Sequence, residues 1–455
     1  MADSYLTRAV SSSGNQKTYT VSVWVKQSSY STGSNTIFGS DVEDDGANYG
    51  TLSIESDGLL KFINMTSSSL VTNYQSNRKL LDTTSWYHIV LRVDTTQSTA
   101  GDRIRLYVNG EQITSWAYST TPNQDTDTGV FKSGNATLVG ARHGSSSQNF
   151  WNGHMAHMHI VEGQSYAPTV FGENDSTTGE WKPILSPSVT YSADNSAFLK
   201  FENSGALGTD SSGQSNNFTV GGSLKQSIST LSNNFATFDI NNGQCNVIQA
   251  GTGLQGNGGS WRFTAINYAM LKGKWYAEFK CVSGTYRGIG FFRHGGNASA
   301  DLPNTQSGMY AFGEGYFYKA DSKELSNNNS ETAYGSWSAI DDGDILMLAL
   351  DLDNGKAWYG VNGTWNNTGS GVGVPNTGAY AHQTFTTGTG NFWGVAAGVN
   401  STYDNPVIHA NFGEGRFGTT ALSSANNDNN NNGTFEYAPP AGFYSICTKN
   451  IKDYG

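Results

Sequence analysis

The chain has 455 residues and a net charge of −11, and charged residues make up only 14% of it, against about 25% in an ordinary soluble domain. Few charges together with 12% aromatic residues exclude a disordered chain, which would be charge-rich and aromatic-poor. The acidic balance argues against nucleic-acid binding. The longest apolar run, residues 345–350, is far shorter than the ~20 residues that a membrane span needs.

The N-terminus and the cysteines point to synthesis in a reducing cytoplasm. The first ten residues contain no apolar signal-peptide core. Cys245, Cys281 and Cys447 are odd in number, far apart and without metal-ligand spacing. We therefore interpret them as free thiols.

Strand signals fill the first part of the chain. Residues 19–26 alternate apolar and polar, which predicts a strand with one buried face. Residues 86–94 and 103–108 predict further strands, and the second of these ends at Asn109-Gly110. Asn-Gly between apolar runs is a strong hairpin signal because both turn residues need a positive φ. Short strands without helical periods between them indicate an antiparallel β-sandwich.

The same pattern returns in the second half. Residues 274–280, 287–292 and 344–353 predict strands, with hairpins at 353–356 and 361–364, and so a second sandwich. The turn-rich stretch between the halves is too aromatic for a free linker, and we expect it to pack on a neighbour. The Asn-rich stretch 423–433 predicts a mobile loop.

These patterns divide the chain into four parts and assign it to the all-β class. The predicted parts are a first sandwich (1–171), a connector (172–235), a second sandwich (236–415) and a C-terminal extension with the Asn-rich loop (416–455).

Particular stretches of both sandwiches resemble known families. Residues 19–26, 85–90, 106–110 and 152–160 resemble the laminin-G-like, concanavalin A-like family. A second set resembles the SPRY domain, in its order and spacing: residues 273–279, 288–291, 342–345, 350–355 and 361–363.

The connector carries the most specific resemblance. Residues 171–219 and the ending 439–450 are similar to structural proteins of tailed bacteriophages, in which such a segment joins a laminin-G-like domain to a SPRY domain. The resemblance implies a virion protein, either a tail fibre, a tail appendage or a capsid decoration. It further implies assembly in the host cytoplasm, exposure on the particle surface, contacts with other virion proteins, and a homo-oligomer such as the trimer common among fibres.

Candidate metal ligands lie in the densest acidic cluster. Asp41, Glu43, Asp44 and Asp45 offer the carboxylate oxygens that calcium prefers, so calcium is the one cofactor considered. The alternative is a solvated loop, since the EF-hand spacing is absent. Asp351 and Asp353 lead into a hairpin, and turn chemistry accounts for them without a metal.

Candidate glycan contacts are aromatic and basic residues in turn-rich stretches: Trp116, Arg142, His143, Trp151 and Trp337. Such tryptophans can stack on sugar rings, or equally anchor a subunit interface. His154, His157 and His159 supply two ligands on one strand face rather than the three or four of a zinc site, and we interpret them as structural.

Catalytic motifs are missing from the sequence. No carboxylate pair of glycoside-hydrolase type, nucleophile elbow, phosphate loop or metalloprotease helix is present. The sequence therefore predicts a non-enzymatic virion part whose lectin-like domains adhere to host surface glycans. Two alternatives stay open: a decoration protein that makes only protein contacts, and a polysaccharide depolymerase.

Overall fold

The chain folds into two compact units, Met1–Gln226 and Ser227–Gly455, in a computed structural model. The structure describes residues 4–28, 35–41, 47–142, 149–294, 314–327, 330–334 and 337–455. Across these residues the predicted all-β class is confirmed, because antiparallel sheets account for the regular structure apart from one C-terminal α-helix and short 3₁₀ turns. The 3₁₀ turns are Ala100–Asp102, Pro168–Val170, Gln249–Gly251 and Pro375–Thr377.

The first unit consists of two large sheets and a small hairpin. Its strands are β1 (Tyr5–Ala9), β2 (Thr18–Gln27), β3 (Asn35–Asp41), β4 (Tyr49–Ile54), β5 (Leu59–Thr66), β6 (Ser69–Lys79), β7 (Tyr87–Asp94), β8 (Ile104–Val108), β9 (Glu111–Gln112), β10 (Trp116–Thr120), β11 (Ala136–Val139), β12 (Gly153–Glu162), β13 (Gly172–Asn174), β14 (Trp181–Pro183), β15 (Ala197–Leu199) and β16 (Thr219–Gly221).

The two sheets of the first unit enclose one core. The eight-stranded sheet has the order β10-β6-β5-β4-β3-β11-β1-β16, and the six-stranded sheet has the order β15-β12-β2-β7-β8-β9. Apolar side chains of both sheets form a single buried cluster, to which Phe38, Phe62 and Leu91 belong. A sandwich of this kind buries alternate residues of every strand.

Strand β2 departs from its prediction of one buried face. Val21 and Val23 enter the core as expected, but the opposite face, with Ser22, Trp24 and Lys26, is buried as well. The cause is non-local: Trp24 stacks on His88, which in turn contacts Trp181 from the connector. The expectation of an exposed polar face is therefore wrong for this strand.

The connector supplies edge strands to both sheets of the first unit. β15 pairs with β12, and β16 pairs with β1. Between these strands, buried Asp210 organises the turn. Its carboxylate accepts hydrogen bonds from the backbone N–H groups of Phe198, Ser212 and Asn216 and from the Ser212 hydroxyl. The polar residues of this stretch thus form a fixed turn, because one carboxylate satisfies several donors at once.

The second unit is also built from two large sheets. Its strands are β17 (Phe238–Gly243), β18 (Asn246–Ile248), β19 (Gly253–Gln255), β20 (Trp261–Ile266), β21 (Lys274–Ser283), β22 (Arg287–Arg293), β23 (Gly315–Lys319), β24 (Glu324–Asn327), β25 (Ser330–Ala333), β26 (Ile345–Asp351), β27 (Lys356–Val361), β28 (Thr364–Trp365), β29 (Gln383–Thr384), β30 (Trp393–Asn400), β31 (Val407–Asn411), β32 (Arg416–Phe417), β33 (Thr420–Ala421), β34 (Asn426–Asn427) and β35 (Thr434–Phe435), followed by α1 (Thr448–Tyr454).

One sheet of the second unit has the order β17-β20-β30-β22-β23-β24-β25, and the other has the order β18-β19-β31-β21-β26-β27-β28 with β29 beside β27. Their facing side chains share one buried core that includes Trp275, Tyr359 and Trp393. The predicted Asn-Gly turns form in both units: Asn109 and Gly110 have φ of 50° and 82°, and Asn362 and Gly363 have φ of 47° and 81°.

The Asn-rich stretch contradicts the prediction of a mobile loop. Strands β34 and β35 pair with each other, and between them Asp428 is only 3% exposed. Its carboxylate accepts hydrogen bonds from Asn432 N, Gly433 N, Ser445 N, Ser445 Oγ and Asn450 Nδ2. The asparagines are ordered because a buried carboxylate must be satisfied by nearby donors.

Candidate functional site

The outer face of the eight-stranded sheet of the first unit brings together two of the predicted site residues. The Arg142 guanidinium lies 4.3 Å from the centre of the Tyr49 ring, and its Nε is 3.9 Å from the Asp41 carboxylate. Asp41 ends β3 and Tyr49 begins β4, so the two neighbouring strands place both groups at one end of the sheet. An arginine held by a ring face and a carboxylate combines cation–π and ionic attraction.

A glycine allows the Arg142 segment to approach the sheet. A Cβ at Gly39 would come within 2.8 Å of the Ala141 carbonyl oxygen and 3.4 Å of the Arg142 Cα. The backbone at residues 141–142 therefore lies directly over β3, which carries Arg142 across the sheet toward Asp41. The Arg142 side chain stays 29% exposed, whereas that of Asp41 is 2% exposed. Arg142 is thus the more exposed member of the pair.

Trp116 lies on the edge strand β10 and is half-buried. Its ring packs edge-on against Tyr74, with 4.8 Å between the ring centres and an interplanar angle of 86°. Trp116 also packs against the core of the first unit. Part of its surface remains accessible, but much of the ring contributes to stability.

Trp151 follows the segment that carries Arg142 and packs against the same core. Its backbone N–H donates to the Gly140 carbonyl oxygen at 2.9 Å, which fixes the segment to the end of β11. The Trp151 ring therefore packs against the first unit and is not a fully exposed surface on which a sugar could stack.

Trp337 belongs to the core of the second unit, contrary to the exposure expected from its turn-rich surroundings. It is 4% exposed, its ring lies 4.7–5.1 Å from those of Tyr318, Tyr334 and His382, and its Nε1 donates to the Asn367 carbonyl oxygen. A sugar has no access to this ring in the structure. Its fixed hydrogen bond is typical of a buried indole.

Four of the predicted site residues lie outside the described residues: His143 among the glycan contacts, and Glu43, Asp44 and Asp45 among the calcium ligands. Within the described part of the chain, no group of three or more His, Cys, Asp or Glu side chains is placed to hold a metal ion. Asp41 lies beside Arg142, and calcium binding stays a prediction.

Asp351 and Asp353 have structural roles. The Asp351 carboxylate accepts hydrogen bonds from Asp353 N, Asn354 N and Asn354 Nδ2 and lies 3.1 Å from Lys274 Nζ. Asp353 accepts the Gly273 N–H. Turn formation therefore accounts for both carboxylates.

Of the strand histidines, His159 is buried and His154 and His157 are partly buried. Burial lowers the pKa of His154 and of His159 to about 3, and it lowers the pKa of His157 as well. The His159 ring stacks on Phe198 with 4.0 Å between ring centres, and its Nδ1 lies 2.7 Å from the Tyr191 hydroxyl. These contacts support the structural interpretation of the cluster.

His88 is a further buried histidine, and its partner Trp181 is recruited from the connector. The Trp181 Nε1–H donates to His88 Nδ1 at 3.0 Å, and His88 Nε2 lies 2.8 Å from Ser22 Oγ. Because an indole only donates, Nδ1 must be the unprotonated nitrogen and Nε2 must carry the proton. Burial lowers the pKa of His88 to about 3. The sequence predicted only a strand over residues 86–94, and no local signal identifies Trp181 as the partner of His88.

Comparison with known protein families finds a match for the first part of the chain. Residues 2–170 match a family model described as the concanavalin A-like lectin/glucanases superfamily. No curated protein is significantly similar to this chain. Within the described residues, no helix is both long and apolar enough to cross a membrane.

Two similar solved structures are the SPRY domain of human HERC1 and a heptameric SAP-like pentraxin from Limulus polyphemus. The SPRY domain is 15% identical, with a TM-score of 0.26, over 38% of this chain and 96% of its own length. The pentraxin is 13% identical, with a TM-score of 0.30, over 48% of this chain and 89% of its own length. The family match of residues 2–170 covers less than half of this chain, and it is a similarity of that part alone.

Proposed function

We propose that this protein is a non-enzymatic structural component of a bacteriophage virion, in a tail or capsid appendage, and that its first unit binds glycans on the host surface. The family match of residues 2–170 to a superfamily of lectins and glucanases supports a carbohydrate ligand. The resemblance of the connector to phage structural proteins supports the place in a virion. Exposure on the particle surface and a homo-oligomeric, for example trimeric, state belong to the same proposal.

The observation that carries the glycan proposal is the placement of Arg142. Its guanidinium rests on the Tyr49 ring beside Asp41 while 29% of the side chain remains exposed. A guanidinium has five N–H donors in a planar fork and no acceptor, so the accessible donors can bind the hydroxyl or carboxylate oxygens of a sugar. The ring and the carboxylate hold the fork in place, which lowers the entropy lost on binding.

The test is binding of the purified full chain to an array of bacterial surface glycans. We expect binding that Arg142→Ala weakens about tenfold, as the loss of one well-placed contact does. Arg78→Ala is the matched control, because Arg78 is an exposed arginine of the same unit that pairs with Glu111. Absence of glycan binding by the wild-type chain, or equal loss in both variants, would contradict the proposal.

The second candidate function is a decoration protein that makes only protein contacts. The packing of Trp116 and Trp151 against the core of the first unit, and the burial of Trp337, favour it, since these rings serve stability. A reconstruction of the whole particle that shows this chain covered by other virion proteins on its Arg142 face would support the decoration role over adhesion.

The absence of catalysis is part of the proposal. The chain should release no reducing ends from host polysaccharide under conditions in which it binds. Release of reducing ends would establish the depolymerase alternative instead.

A further inference from the structure

One end of the second unit carries an aromatic surface that the proposed function does not use. The loop between β21 and β22, the loop between β30 and β31 and the start of β20 meet there. We call this surface the aromatic end and define it by Trp261, Tyr286, Asn400 and Tyr403. Tyr403 is 77% exposed, the largest exposed fraction among the large apolar side chains of the described residues.

The register of three adjacent strands places these groups in one row. Trp261 lies directly opposite Asn400 in the pairing of β20 with β30, and the Asn400 N–H donates to the Tyr286 carbonyl oxygen at 3.0 Å. Trp261, at the start of β20, and Tyr286, just before β22, therefore flank Asn400 at the end of β30. The Tyr403 ring lies 5.4 Å from the Tyr286 ring, centre to centre, with an interplanar angle of 37°.

Hydrogen bonds between the loops hold the aromatic end in a fixed conformation. The Asp404 carboxylate accepts the Thr285 N–H at 2.6 Å, and the Gly256 N–H donates to the Pro406 carbonyl oxygen at 3.1 Å. The Ser401 hydroxyl donates to the Gly258 carbonyl oxygen. Loops tied to one another at several points lose little conformational entropy when a ligand binds.

The polar groups beside the rings include several neutral side chains next to the Asp404 carboxylate. The Asn400 amide oxygen accepts hydrogen bonds from Thr402 N and Thr402 Oγ1, and these bonds do not use the two N–H donors of its amide nitrogen. Asn257, Thr402 and Asn405 are exposed around it. Aromatic faces with a few fixed polar groups are the composition of small-ligand sites, and hydroxyl and amide groups match the hydroxyls of a neutral sugar.

We propose that the aromatic end is a carbohydrate-binding site for neutral pyranose sugars, with Tyr403 and Tyr286 stacking on the sugar ring and Asn400 binding its hydroxyls. This site is separate from Arg142 and does not rest on glycan binding by the first unit.

The test uses the full chain and a panel of neutral disaccharides (cellobiose, maltose and lactose), with saturation-transfer NMR and intrinsic fluorescence as readouts. We expect at least one disaccharide to bind, and Tyr403→Ala to raise its Kd about tenfold. Tyr403→Phe keeps the ring and should bind within about threefold of the wild type, because stacking needs the ring rather than the hydroxyl.

Two control variants separate this site from other surfaces. Tyr118→Ala removes another exposed tyrosine, 61% exposed on the first unit, and should leave disaccharide binding unchanged. Arg78→Ala, at an exposed arginine of the first unit, should also leave it unchanged. The first-unit proposal is tested separately by Arg142→Ala on the glycan array, so that failure of either proposal gives a different result. The proposal is overturned if no disaccharide binds, if Tyr403→Ala binds like the wild type, or if a proline-rich peptide binds the aromatic end and the sugars do not.

Discussion

Each unit has one sheet whose outer face is covered by a chain segment that follows the sandwich strands, but the two covers are attached by different chemistry. In the first unit, Trp181 of the connector donates a side-chain hydrogen bond to the buried neutral His88. In the second unit, Glu436 and Tyr437 of the C-terminal extension donate backbone N–H bonds to the buried carboxyl group of Glu278, each at 2.8 Å. The connector is thus attached by a hydrogen bond from an indole side chain, and the C-terminal extension by hydrogen bonds from its backbone.

The comparison shows how a buried polar group can select its cover. Phe435 and Phe443 of the extension pack on Tyr276 and Trp358, next to Glu278, so apolar contact supplies area on that face. Apolar contact alone is non-directional. The hydrogen bonds to His88 and Glu278 define which segment lies there and in which register, since a buried polar group left unpaired is costly.

The largest expected effect comes from removing the acceptor in the second unit. Glu278→Ala leaves two backbone N–H groups and the Tyr276 hydroxyl, which donates to Glu278 at 3.0 Å, without their acceptor. We expect a loss of about 4 kcal/mol in the free energy of unfolding, measured by chemical denaturation. Glu173→Ala, at an exposed glutamate, is the control. A loss below about 1 kcal/mol for Glu278→Ala would show that the extension is held by apolar packing.

Trp181→Ala tests the cover of the first unit. The substitution removes the donor to His88 Nδ1 and the ring that stacks on it, and we expect a loss of about 3 kcal/mol. Trp181→Phe keeps an aromatic ring but removes the N–H and part of the ring area, so its loss should be smaller than that of Trp181→Ala. NMR titration should detect a rise in the pKa of His88 in both variants. An unchanged His88 pKa would contradict the assigned tautomer.

The two covers should respond to pH with opposite signs. The pKa of His88 falls from 6.5 to about 3 on folding, so only the unfolded state takes up its proton between these values, and stability falls as the pH falls. The pKa of Glu278 rises from 4.5 to about 7 because its burial disfavours the charged form. The folded state then takes up the proton first, and stability rises as the pH falls from about 7 toward 4.5.

Between pH 6.5 and 5 each group should change the free energy of unfolding by up to about 2 kcal/mol. Burial also lowers the pKa of His154 and His159, so these two groups add to the loss of stability that His88 causes as the pH falls. In the second unit, burial lowers the pKa of His382 and His409, which opposes the gain in stability from Glu278. Urea titrations of His88→Gln and Glu278→Gln across this pH range isolate the contribution of each group to the free energy of unfolding. The opposite pH dependence of the two groups would be refuted if both substitutions changed the slope of this free energy against pH in the same direction.

The smallest expected effect concerns the fit of Trp181. A Cβ at Gly172 would come within 2.6 Å of its ring, whereas nothing lies within 4 Å of one at Gly101. We expect Gly172→Ala to cost about 1–2 kcal/mol through displacement of the ring and to alter tryptophan fluorescence. Gly101→Ala, the matched control, should do neither. Equal stability of the two variants would mean that the Trp181 ring adjusts freely.

The sequence predicted the features that depend on neighbouring residues. Strand alternation located β2 and β7, and the Asn109-Gly110 and Asn362-Gly363 turns have the positive φ values expected of them. These features are local, so a short window contains the information that specifies them.

The errors come from contacts between distant parts of the chain. Trp337 lies in a turn-rich stretch, yet rings from other segments bury it. The Asn-rich stretch is ordered by Asp428 together with Ser445 and Asn450, which come later in the chain. Of the predicted glycan and metal residues, Arg142 and Asp41 do meet, but their common contact Tyr49 carried no recognisable signal.

The edge strands of the first unit have a consequence for its synthesis. β15 and β16 come from the connector, and the first unit extends to Gln226. Translation proceeds from the N-terminus, so the six-stranded sheet cannot be completed before residue 199 has been made, nor the eight-stranded sheet before residue 221. A fragment ending at residue 171 would expose the unpaired edges of β12 and β1 and the outer face of β2 and β7, with Trp24 and His88, that Trp181 covers. The nascent chain passes through this state, and it is the stage at which aggregation is most to be expected.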